Sequence, residues 1–135
     1  MAIEAPCGYL VDCERLAKTL MQHLIHTHYL RDQLPTYPAD LQLQLLGLNQ
    51  TLNKLHSWLE QFPTLFTDEH VAIFQAHIDG CSLVSGEFGK ELGEPHAVGT
   101  TNDERRNWVE VFRTYELKFH PHVLSFYVYL QAVRW

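Results

Sequence analysis

The chain has little from which to build a conventional reaction centre. Its 135 residues hold three cysteines, Cys7, Cys13 and Cys81, with neither a Cys-x-x-Cys pair nor a repeated spacing. That argues against a zinc ribbon or a thioredoxin-like motif. Cys7 and Cys13 could pair in principle, but buried or idle thiols in a reducing cytoplasm are the simpler reading. A phosphate-cradling loop is missing too, because Gly86-Glu87-Phe88-Gly89 has neither a following Lys-Ser/Thr nor a preceding strand. Ser57, Ser82, Ser85 and Ser125 sit in ordinary helical patterns, which gives no basis for a nucleophile triad. Cations are few: 10 Lys and Arg against 16 Asp and Glu, for a net charge of −6. That balance argues against broad contact with nucleic-acid backbone, which rewards positive charge through counterion release. Apolar runs extend only a few residues, so no segment is expected to span a bilayer. Residues 1–13 lack a basic stretch followed by an apolar block, so no secretory leader is expected and a cytoplasmic location is.

What is present is ample core material. Hydrophobic residues make up 46% of the chain and charged residues 19%, a composition that folds, and the length suits one domain over residues 1–135. Four segments carry helical periodicity. In the first, after an irregular lead-in over 1–10, Leu16, Leu20 and Leu24 form a stripe that Met21, Ile25 and Tyr29 widen, with Asp12 as cap and Pro35 as the stop. The second gives the clearest signal. Leu41, Leu45, Leu48, Leu52, Leu55, Leu59 and Phe62 alternate steps of four and three before Pro63. The third opens with Thr67 as cap, Asp68 and Glu69 complementing the dipole, and Phe66 placed to staple against Val71. It continues through Phe74, Ile78, Cys81, Ser85, Phe88 and Leu92 to Gly93. Its interior glycines predict a break near Gly80, and Ala72, Ala76 and Gly80 form a small-residue line for a close neighbour.

Residues 94–100 read as a loop, and Thr101 or Asn102 can cap the last segment. There Trp108, Phe112, Tyr115, Phe119, His122, Phe126, Tyr129 and Val133 keep the same repeat across Pro121, which should kink or split the helix. The expected fold is therefore all-α, an antiparallel up-down four-helix bundle. The alternative is α+β, with a hairpin over 70–85 turning at Asp79-Gly80 and a strand in the branched, aromatic stretch 123–133.

Nine histidines are the unusual feature. His56 and Glu60, four apart, share a helix face and could jointly hold an ion such as iron, manganese or zinc. The run His26-Thr27-His28-Tyr29-Leu30-Arg31-Asp32-Gln33-Leu34-Pro35 resembles the first helix of hemerythrin-like domains of the iron–sulfur repair type. His56-x-x-x-Glu60 resembles their second-helix ligand pair, and Phe62-Pro63 followed by His70 and His77 resembles the start of their third. The resemblance implies a bundle with a non-haem di-iron site that binds or senses oxygen or nitric oxide, or stores iron. The ligand set is incomplete: Thr27 separates His26 from His28, Phe74 stands between His70 and His77, and no acid follows His120. His56, Glu60 and His77 carry over, with His26 or His28 and His120 or His122 to complete the shell, His28 and His122 being preferred. The bland alternative makes His56 an interfacial side chain and His23 and His122 hydrogen-bonded core imidazoles.

Arg113 and His120, seven apart, resemble the Arg-x4–6-His signature of HEPN ribonucleases, which are also helical; this is the weaker enzymatic reading. Aromatic residues crowd the last segment beyond what one face holds, which points to a surface for a protein partner or for self-association, with Trp108, Tyr127 and Trp135 as its candidates. On balance the sequence reads as a non-enzymatic regulatory or interaction module, possessing a degenerate hemerythrin-like ligand set, with an iron protein as the alternative.

Overall fold

The computed structural model describes residues 8–30, 39–62, 64, 66–93 and 108–133. It contains α1 (Gly8–Leu30), α2 (Ala39–Gln61), α3 (Asp68–Leu92) and α4 (Trp108–Val133), and no strand among the described residues. The all-α bundle is therefore the fold, and neither the hairpin over 70–85 nor a strand over 123–133 forms. None of the described helices is long and apolar enough to cross a membrane.

The unbroken leucine repeat makes α2 the axis of the core. Leu41, Leu45, Leu48, Leu52, Leu55 and Leu59 are all buried, as steps of three and four keep one side of a helix facing its neighbours. The seventh member of the repeat, Phe62, is a correction. It lies one residue past the helix, exposed, and stacks on Trp58 with centroids 5.4 Å apart.

Three polar contacts set the direction of α1 against α2. Cys13 Sγ donates to the Leu52 carbonyl at 3.4 Å, Asn49 Nδ2 to the Ala17 carbonyl at 2.7 Å, and Gln42 Nε2 to Thr27 Oγ1 at 3.1 Å. Rising numbers on α1 meet falling numbers on α2, so the pair is antiparallel. All three contacts are buried, where a satisfied polar group costs little and an orphaned one costs about 1–3 kcal/mol. α1 starts earlier than expected, at Gly8, which leaves Asp12 inside the helix and not at its cap. Its buried face is Tyr9, Cys13, Leu16, Ala17, Leu20 and Thr27, while Ile25 and Tyr29 point to solvent. Pro35, Thr101 and Asn102 lie outside the described residues.

α3 begins at Asp68, as the cap signal at Thr67 predicts. Thr67 takes extended backbone angles and its hydroxyl accepts from the His70 N–H at 3.2 Å. Phe66 turns in against Phe74, its centroid 5.4 Å away, and Tyr129, at 5.7 Å. The helix does not break at Gly80, because the buried row Phe74, Ile78, Cys81, Ser85, Phe88 and Leu92 outweighs the propensity loss of its glycines. It ends at Gly93, whose φ of 64° suits glycine and whose N–H bonds the Gly89 carbonyl. α4 likewise runs through Pro121 without splitting. Pro121 is exposed there, so the missing N–H falls at the solvent face.

The helices alternate in direction along the chain, but their order around the bundle is α1, α2, α4, α3. α1 packs on α2 and α3, and α4 packs on α2 and α3, while α2 and α3 stand on the diagonal. The α1–α3 pair is parallel: Asp12 meets Gln75 and His23 meets Ser85. The α3–α4 pair is antiparallel, as Phe74 meets Phe126 and Glu87 meets Lys118.

Candidate functional site

The sequence-derived ligand residues do not share one location. His28 is exposed near the C-terminal end of α1, level with Gln42 of α2. His56 lies 14 residues further along α2, which is about 21 Å down the bundle at 1.5 Å per residue. Glu60 is exposed one turn beyond His56. His77 and His122 sit instead at the α3–α4 contact, where His77 packs edge-on to Tyr129 at 5.7 Å. Among the described residues no three His, Cys, Asp or Glu side chains gather into a group able to hold a metal ion.

His23 is the hydrogen-bonded imidazole that the sequence offered as the alternative to ligation, and both His23 and His122 seat against glycines of α3. A Cβ at Gly89 would lie 3.1 Å from His23 Cε1, and one at Gly80 would lie 3.3 Å from His122 Cε1. Each imidazole, one from α1 and one from α4, therefore occupies a site on α3 that glycine leaves open. His23 is fixed further by Nε2, 2.9 Å from both the carbonyl and the hydroxyl of Ser85, and by the edge of Phe88. An Nε2–H tautomer donates to that carbonyl. Burial pushes the His23 pKa below its usual value despite the Ser85 carbonyl, and His26 adds to the depression. Burial, with the nearby His77, does the same for His122. The expected small-residue line is thus corrected: Ala72 and Ala76 are exposed, and close approach occurs at Gly80 and Gly89.

Between the parallel α1 and α3 runs an open groove of about 340 Å³, lined by Asp12, Arg15, Thr19, Asp79, Ser82 and Ser85 among others. Its polar groups are largely engaged with one another. Gln75 Nε2 donates to Asp12 and to Asp79, both at 2.9 Å, and Arg15 reaches Asp12 at 3.5 Å. Cys13 and Cys81 are buried, and burial raises both thiols to about 12, so neither is a thiolate near neutral pH.

The most distinctive surface is on α4. Its inner face carries Phe112, Tyr115, Phe119, Phe126 and Leu130 into the core. On the opposite side Leu117 is 70% exposed, Leu124 53% and Val128 65%, with exposed Pro121 between them. At 3.6 residues per turn these four lie about half a turn from Phe119 and in line with one another. Tyr127, 55% exposed, flanks the stripe, with exposed Arg113 and His120 on the same side. From Phe119 to Val133 the helix has no Asp, Glu, Lys or Arg.

Of the expected surface residues, Tyr127 is therefore on the outside. Trp108 is a correction: it is buried at 4% exposure, stacked on Phe112, because it starts the inner row. Trp135 lies outside the described residues. The aliphatic members, Leu117, Leu124 and Val128, form a second row at the same three-four spacing, which the aromatic residues of α4 do not mark. Comparison with family models, with curated proteins and with solved structures finds no match.

Proposed function

We propose that this chain is a helical interaction module that offers the outer face of α4 to a helix of a protein partner. The observation that carries this reading is the second apolar row, Leu117, Pro121, Leu124 and Val128, which the protein's own core does not use. With Tyr127 it presents roughly 500 Å² of apolar side chain in one patch, toward the top of the range found on monomers and often functional. Steps of four, three and four are the spacing by which one helix seats its knobs in another. The hemerythrin-like resemblance fits here as a bundle scaffold whose ligand positions have diverged, His122 being seated against Gly80 instead.

The test is selection from a displayed library of amphipathic helices against the dilute chain. Binders are expected, and Leu124→Glu should abolish binding by placing a carboxylate inside the contact. Leu83→Glu, at a still more exposed leucine of α3, should leave binding intact. No binder, or binders indifferent to Leu124→Glu, would refute the reading.

A further inference from the structure

We infer that the occupant of this face is a second copy of the chain, docked antiparallel, α4 against α4, about a two-fold axis passing between Pro121 and Leu124. The inference rests on the interaction reading above and deepens it by naming the partner.

Spacing comes first. The row Leu117, Pro121, Leu124, Val128 has steps of four, three and four, a palindrome. Reversed, it presents the same steps, so an antiparallel copy matches it position by position. Leu117 then faces the partner's Val128, and Pro121 faces the partner's Leu124. A two-fold contact demands this kind of self-complementarity.

Charge comes second. The chain carries a net charge of −6, so most faces of two copies repel each other. The stretch Phe119–Val133 has no Asp, Glu, Lys or Arg, and the two-fold axis falls within it.

Area comes third. The apolar row and Tyr127 supply roughly 500 Å² per copy, and the exposed flanks Arg113 and His120 extend the footprint toward the ~800 Å² per partner of a standard specific interface. Area alone does not set affinity, and a contact of this size with an aliphatic centre is expected to be reversible, on the order of micromolar.

The experiment is sedimentation equilibrium of the full chain over about 1 to 500 µM, a range that brackets that affinity. The expected result is a monomer–dimer equilibrium between 15.7 kDa and twice that mass. Leu124→Glu should weaken dimerisation on the order of 100-fold, since each dimer acquires two buried carboxylates. Leu83→Glu should not change it. Because both residues are exposed, circular dichroism should show both variants folded. In a Cys7→Ser background, a mixture of Leu117→Cys and Val128→Cys chains should form the mixed disulfide, and Leu117→Cys alone should not couple to itself. A monomer at every concentration, a dimer indifferent to Leu124→Glu, or self-coupling of Leu117→Cys would each overturn the inference. If the chain stays monomeric yet displayed helices bind through Leu124, the second copy is refuted and the interaction module stands.

Discussion

Gly86 and Gly89 are one turn apart on α3, and replacing each with alanine should shift stability in opposite directions. An interior helical glycine costs about 1 kcal/mol relative to alanine, so both substitutions begin with the same gain. At Gly86 a new Cβ meets nothing within 4 Å, and the gain is realised. At Gly89 the new Cβ stands 3.1 Å from His23 Cε1, and the ring must retreat by a few tenths of an ångström. It has little room to do so, with Nε2 held 2.9 Å from both oxygens of Ser85 and the ring edge set against Phe88. Ser85 is 1% exposed, so forcing the ring and weakening its contacts with Ser85 costs about 1–3 kcal/mol. The net effect at Gly89 is a loss of about 1 kcal/mol, against a gain of about 1 kcal/mol at Gly86. For a domain of this length the two variants should melt roughly 6–8 °C apart, followed by helical circular dichroism. With His23 already replaced by alanine, Gly89→Ala should stabilise as Gly86→Ala does, because the clashing ring is gone, and a double-mutant cycle measures that coupling. Equal stabilisation by the two alanines would refute the seating of His23 on α3.

Other perturbations follow from the same contacts. Thr67→Ala removes the hydroxyl that accepts from the His70 N–H and should cost about 1 kcal/mol in urea unfolding. Phe74→Ala empties the middle of a cluster with Tyr9, Phe66, Phe126 and Tyr129 and should cost about 3–5 kcal/mol, enough to threaten folding. His23 and His122 titrate below their ordinary value of 6.5 in the folded chain, so the unfolded chain takes up their protons first. Stability should hold above pH 6.5 and fall as the pH drops through the lowered values, and His23→Gln should flatten that fall in urea midpoints measured against pH. Cys13 and Cys81, buried and raised to about 12, should resist a thiol reagent in the folded chain and react once it is denatured.

The four helices were legible because their inner rows repeat without interruption. Leu41 to Leu59 and Phe74 to Leu92 each define a face, and burial follows the face. Errors fell where periodicity continued past the region of contact. Phe62 lies past the end of α2, and Ile25 and Tyr29 lie about half a turn away from Leu16 and Leu20, on the face of α1 that no neighbour covers. The ring order was not legible, since a repeat names a buried face and not the helix that buries it. α2 and α3 follow one another in the chain, yet they stand on the diagonal. The histidines were harder for a related reason. Residue type suggests ligation, but whether imidazoles converge depends on levels along the bundle, and His28 and His56 lie at different ones. The signal that was there to be read lay on another helix, in glycines at positions 80 and 89 that leave room for a ring.

α4 shows the same ambiguity in its strongest form, because it carries two apolar rows of identical spacing on opposite sides. Trp108, Phe112, Tyr115, Phe119 and Phe126 make the wide row, and rings of that volume are needed to fill the space enclosed by four helices. Leu117, Pro121, Leu124 and Val128 make the narrow row, with small side chains suited to the closer contact of two helices. Counting aromatics selects the row that the fold consumes, which is why Trp108 was expected outside and is found inside. Once the wide row is assigned to the core, the narrow row is left facing solvent on the one stretch of α4 without formal charge. A bundle stabilised by its inner rows gains nothing from those exposed aliphatic side chains as a monomer. On the proposed reading a second helix covers them, and that cover is what makes their placement favourable.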